Sequence, residues 1–127
     1  MNLRMACFFI AAFFISFATA TDMPPTATGE PKLIRGHYQM YGGDFAEMLP
    51  PARGDTKLAI TLKGSLAKEL FAQIGPNVKR IDACSSDADY KERRRGDLSC
   101  IYTKKDGHTC YFGLDLNTGK STNGAIC

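Results

Sequence analysis

The chain lacks most of the features that announce an activity. Its 127 residues contain no tryptophan and only two histidines, His37 and His108. With so few imidazoles, a histidine-rich metal centre is excluded. A Ser–His–Asp hydrolase would have to rest on His37 or His108, with no G-x-S-x-G elbow to support it. No cysteine has a near neighbour: the last four are separated by 15, 9 and 16 residues, which excludes the close pairs of a structural zinc site. No charge sign dominates either. The formal net charge is +3, too even a balance to imply a nucleic-acid or membrane-surface partner. There is no internal repeat.

Two nucleotide and cation motifs are present only in part. Thr118-Gly119-Lys120-Ser121 resembles the end of a phosphate-binding loop. The first glycine of that motif is missing, because position 114 is leucine. Asp87-x-Asp89 resembles the start of a calcium loop, but Lys91 stands where a third oxygen ligand belongs and the glycine is absent. No cofactor and no metal are therefore expected. Asp82, Asp87, Asp89 and Glu92 read instead as a solvated mixed-charge loop that partly neutralises the arginines after it.

What is present begins at the N-terminus. Arg4 precedes the apolar run "ACFFIAAFFISF", which is followed by Ala18-Thr19-Ala20. That order is the n-region, h-region and A-x-A site of a secretory signal peptide, with cleavage expected after Ala20. An apolar core this short falls below the roughly 20 residues of a bilayer span, so no stable membrane insertion is expected after cleavage. Residues 21–31, "TDMPPTATGEP", hold three prolines and read as a flexible tether. Residues 32–127 then form a single globular domain, exported to the periplasm or secreted.

Export also explains the cysteines. Cys7 leaves with the signal, and Cys84, Cys100, Cys110 and Cys127 remain as two disulfides. The favoured pairs are Cys84–Cys127 and Cys100–Cys110, the latter as diagonal neighbours across a hairpin. The rival pairing, Cys84–Cys100 with Cys110–Cys127, stays open on spacing alone. Each bridge is expected to stabilise the domain by ~2–4 kcal/mol.

Apolar periodicity supplies the rest of the fold. Lys32–Tyr41 reads as a strand, and Asp44–Met48 as at most one helical turn. Leu58, Ile60 and Leu62 alternate with Lys57, Ala59 and Thr61, the period of a strand with one buried face. A helix over about 65–74 follows, N-capped by Ser65, with Leu66, Ala67, Leu70, Phe71 and Ile74 on one stripe, and it ends at Gly75-Pro76. "DLSCIYT" and "CYFGLDL", joined by Lys104–Gly107, make a hairpin. A turn around Asn117 and Gly119 leads into a last strand ending at Cys127. The expected class is a small disulfide-stabilised α+β domain: one main helix packed on an antiparallel sheet of about four or five strands, with a C-terminal β-meander.

"KERRRGDLSC" carries Arg93, Arg94 and Arg95 and one of two Arg-Gly-Asp tripeptides; the other is Arg53–Asp55. The arginines read as an exposed loop between Cys84 and Cys100. With Lys104, Lys105, His108, Arg53 and Asp55 they are the candidate partner-binding residues, on rigid loops of a non-enzymatic protein-binding domain. The narrower expectation is an inhibitor or immunity protein for an envelope or secreted enzyme. A host-directed adhesion or effector ligand acting through Arg-Gly-Asp is the alternative, and a small hydrolase a further one.

Overall fold

The computed structural model describes residues 29–127, so the signal segment and most of the tether lie outside the described residues. Lys32–Cys127 forms one compact unit. Alternating side chains and glycine turns set its strands: β1 (Arg35–Gly43), β2 (Met48–Leu49), β3 (Lys57–Lys63), β4 (Lys91–Arg95), β5 (Leu98–Thr103), β6 (Gly107–Asp115) and β7 (Ser121–Thr122). The sheet is antiparallel in the order β2-β1-β3-β6-β5-β4, with β7 added to β6. One helix, α1 (Gly64–Gln73), and a short 3-10 turn, η1 (Arg80–Asp82), complete it. The fold is the α+β disulfide domain expected from the sequence, with more strands than the four or five counted there.

Both disulfides form in the favoured pairing, Cys84–Cys127 and Cys100–Cys110. Cys100 and Cys110 lie directly opposite each other on β5 and β6 rather than diagonally. The three-residue turn Lys104–Asp106 joins Thr103 to Gly107, and that loop length sets the register. Disulfides of this kind fit an oxidising, exported environment. Among the described residues no helix is long and apolar enough to cross a membrane.

The core is small and lies between α1 and one end of the sheet. Ala67, Phe71 and Ile74 from the helix pack on Cys100 and Cys110, with Leu62, Leu70, Leu98 and Tyr102 around them. Ala67 permits the closest approach, because its backbone carbonyl lies 3.4 Å from the Cys110 sulfur. The helix therefore covers β6 and the adjoining ends of β5 and β3, and leaves β1 and the Leu58–Ile60 part of β3 open.

Four local expectations are corrected. Asp44–Met48 is not helical: the Asp44 carboxylate accepts the N–H groups of Ala46 (2.8 Å) and Glu47 (2.9 Å), and this local side-chain turn leads into β2. Ser65 is not the N-cap of α1. Lys63 holds that position without a side-chain cap, since the chain runs straight from β3 into the helix through Gly64. The last strand is only two residues long, and the segment after it lies across the sheet without joining it. Finally, Lys91–Arg95 is an edge strand rather than a loop; Arg95 pairs with Leu98 across the two-residue turn Gly96-Asp97. A strongly charged segment gave no apolar alternation to read, yet its backbone satisfies the edge of β5.

The tail after β7 sits on the sheet by backbone contact. A Cβ on Gly113 would lie 2.4 Å from Thr122 Oγ1, and one on Gly124 would lie 2.3 Å from the Phe112 nitrogen. Only glycine allows the tail to lie so close. Its end is then tied by Cys84–Cys127, whose two residues are exposed, whereas Cys100 and Cys110 are 0% exposed. Thiol attack requires access to a sulfur. Titration with a mild thiol followed by alkylation and mass spectrometry is expected to label Cys84 and Cys127 well before Cys100 and Cys110. Equal labelling of all four would contradict this arrangement.

Candidate functional site

The face of the sheet opposite α1 carries a cleft of about 620 Å³. Register builds its floor. His37 pairs with Thr61, Thr61 with Tyr111, Tyr111 with Ser99, and Ser99 with Arg94, so one row of polar side chains crosses five strands. In the next row Gln39 faces Ala59, whose small side chain deepens the floor, and Ala59 faces Gly113, on which the tail lies. Phe45 stands at one end, its ring 5.5 Å from the buried Tyr41. Asn123–Cys127 forms a wall.

The other end of the cleft is organised by Glu92, which is 1% exposed. A carboxylate so buried is costly unless its oxygens are satisfied. Here one oxygen accepts the Cys84 N–H (2.9 Å) and the Tyr90 hydroxyl (3.0 Å), and the other pairs with the Arg94 guanidinium. Arg94 also reaches the bridge itself, with Nη2 3.3 Å from the Cys84 sulfur and 3.6 Å from the Cys127 sulfur. Glu92 thus joins β4 to the loop before it, and through Arg94 and the Cys84–Cys127 bridge the cluster reaches the C-terminal tail. Because the Glu92 and Arg94 charges neutralise each other, the polar part of the lining is mainly hydroxyls, amides and an imidazole, beside the apolar Phe45, Ile101 and Ile126.

The three consecutive arginines are divided by strand alternation. Arg93 and Arg95 point to the helix side. Arg93 donates to the Phe71 carbonyl (2.8 Å) and to Asn77 (2.8 Å), with its guanidinium 4.3 Å from the Phe71 ring centroid. Arg95 donates to the Ile74 carbonyl (3.1 Å). These two cations sit at the C-terminal end of α1, where the helix dipole favours positive charge and terminal carbonyls lack helical partners. Arg94 alone of the three lines the cleft.

The remaining residues singled out in the sequence are dispersed. Lys104 and Lys105 are exposed in the β5–β6 turn, where the Lys104 N–H donates to Asp89 (2.9 Å). His108 lies on the helix side between Phe71 and Tyr102, at centroid distances of 5.0 and 4.8 Å. Burial lowers its pKa, and the positive charges of Lys68 and Arg93 lower it further. The carboxylates of both Arg-Gly-Asp tripeptides are engaged within the chain. Asp55 accepts the Gly43 N–H (2.7 Å) and the Lys57 ammonium (2.6 Å), which hold its pKa below the usual value. Asp97 accepts from the Ser121 hydroxyl (2.5 Å). Sequence reading weighed His37 only as a hydrolase imidazole and missed Gln39, Thr61 and Tyr111 as cleft residues. For the β1 pair the signal was the odd-numbered positions of "RGHYQMY", which put His37, Gln39 and Tyr41 on one face.

No family model, no curated protein and no solved structure matches this chain. Among the described residues there is no cluster of three or more side chains suited to a metal ion.

Burial, followed by the hydrogen bond to Glu92, pushes the Tyr90 phenol up to about 12. A raised folded pKa favours the neutral phenol, so its contribution to stability is full below the unfolded value near 10 and is lost as pH rises through about 12. Ultraviolet titration is expected to show a phenolate step near pH 12 that disappears in Tyr90→Phe. Persistence of that step in the variant would contradict the assignment.

Proposed function

We propose that this chain is a small exported, non-enzymatic binding domain whose cleft receives a protruding segment of another protein. Within that class, an inhibitor or immunity protein for an enzyme of the periplasm or the secreted fraction is the specific reading. The observation that carries it is the row His37–Thr61–Tyr111–Ser99–Arg94, a preformed hydrogen-bonding floor on a sheet whose cleft wall is fixed covalently. Preorganised surfaces lose little conformational entropy on association, so modest contacts suffice for tight binding.

The cleft chemistry favours a protein segment with polar side chains or free backbone amides. Tyr111 adds an aromatic contact, and tyrosine is enriched at the energetic centres of interfaces. Its phenol, whose pKa burial raises further above neutrality, is protonated and can donate at neutral pH. Among the earlier candidates, Arg94 belongs to this surface. Arg93, Arg95 and His108 act on the helix side, and Lys104, Lys105, Arg53 and Asp55 lie in separate turns.

A photo-crosslinking amino acid placed at Gln39 in cells is expected to give one discrete heavier adduct that mass spectrometry assigns to a different protein, and the same group at Lys105 none. The adduct should disappear when Tyr111 is also changed to Ala. An identical adduct pattern from Gln39 and Lys105, or no adduct at either, would contradict a cleft-borne partner.

A further inference from the structure

The outer edge of β1 is open. Arg35–Tyr41 pair with β3 on one side, whereas β2 reaches only Gly42 and Gly43, so among the described residues no strand occupies the other side. An edge of this length presents a row of free backbone donors and acceptors, and folded proteins ordinarily blunt it with proline, a bulge or a cover. Among the described residues β1 has none of these. Beside it, on the part of the helix-bearing face that α1 leaves uncovered, Ile34, Tyr38 and Met40 are 67%, 71% and 39% exposed. Together with Leu58 and Ile60 they line an apolar groove of about 400 Å³.

We infer that this edge pairs with the β1 edge of a second copy of the chain, antiparallel about a two-fold axis through Tyr38. A two-fold axis perpendicular to the sheet keeps each side chain on its own face, so only residues of like parity can oppose each other. Centring on Tyr38 sets Tyr38 against Tyr38 of the second copy, His37 against its Gln39, Gly36 against its Met40 and Arg35 against its Tyr41. No like charges meet directly. Gly36, whose Cβ would clash with the Thr61 carbonyl oxygen at 2.1 Å, also leaves the space beside it for the opposing Met40. The two apolar grooves then join across the axis.

Charge at the two ends of the strand selects the second copy as occupant. β1 begins beside Arg35, which the register sets opposite Lys63, and neither has a carboxylate within ion-pair distance among the described residues. Like charges directly opposite in a sheet are destabilising. β1 ends at Gly43 and is followed at once by the exposed Asp44 and Glu47. Antiparallel pairing brings the cationic end of each copy alongside the anionic end of the other. A strand from an unrelated protein would have to supply both complementary ends, whereas a second copy has them by symmetry. His37 and Gln39 flank the seam on the cleft side, but the apolar groove with Tyr38 and Met40 lies on the opposite face, so this inference does not depend on the proposed function.

Sedimentation equilibrium of the purified oxidised protein is expected to show a reversible dimer in the micromolar range. Tyr38→Asp, which sets carboxylate against carboxylate at the axis, should weaken association by at least about tenfold, equivalent to about 1.4 kcal/mol. The side chain is exposed, so the folded monomer should survive, as circular dichroism will report. Tyr38→Cys should form an intermolecular disulfide on mild oxidation much faster than Lys105→Cys. A wild-type monomer throughout that range, including one that carries another protein's strand on β1, overturns the inference. A dimer unaffected by Tyr38→Asp, or equal cross-linking at both cysteine positions, overturns it too.

Discussion

The buried Glu92 carboxylate is the contact on which the architecture of the cleft depends. It sits on an edge strand, where nothing beyond β4 shields it by pairing, yet it is 1% exposed. The loop before β4 and the Cys84–Cys127 bridge supply the cover. Such a burial is unfavourable for an isolated charge and is offset only by an amide, a hydroxyl and a guanidinium converging on the same two oxygens. Removing any one of these groups unsettles the others, because a half-satisfied polar cluster is worse than none. The tail that walls the cleft is held through this cluster as well as through its disulfide.

The two sides of the sheet divide the work. On the helix side, a small apolar core and the Cys100–Cys110 bridge hold α1, and Arg93 and Arg95 satisfy carbonyls near its end. The apolar core is small, and the bridges add to the stability that packing supplies. On the other side, polar side chains form a floor that is ordered by backbone register rather than by apolar packing. A partner can meet that floor without first ordering it.

Legibility in the sequence followed the strength of the local signal. Leu58, Ile60 and Leu62 marked β3, and the stripe ending in Ile74-Gly75-Pro76 marked α1, because period and punctuation agreed. The hairpin between Cys100 and Cys110 favoured the disulfide pairing that forms, although spacing alone left the rival pairing open. β4 was not legible. Its Lys-Glu-Arg-Arg-Arg run suggested solvent, and its strand character comes from pairing with β5. The roles of the arginines were hidden for the same reason, since consecutive residues diverge to opposite faces only once the segment is known to be a strand. The cleft was missed because its residues are far apart in sequence and meet only through the β1–β3–β6–β5–β4 register. His37 and Gln39 carried a faint periodic trace of it.

Hydrogen exchange on Glu92→Ala tests the central dependence most directly. The account predicts that the Cys84 amide, protected in the wild type by the Glu92 carboxylate, becomes fast-exchanging in the variant. Amides of the Asn123–Cys127 tail should also exchange faster, while the paired amides of β5 and β6 remain protected. Unchanged protection at Cys84 and in the tail, in a variant that is otherwise folded, would contradict the claim that this carboxylate organises the cleft.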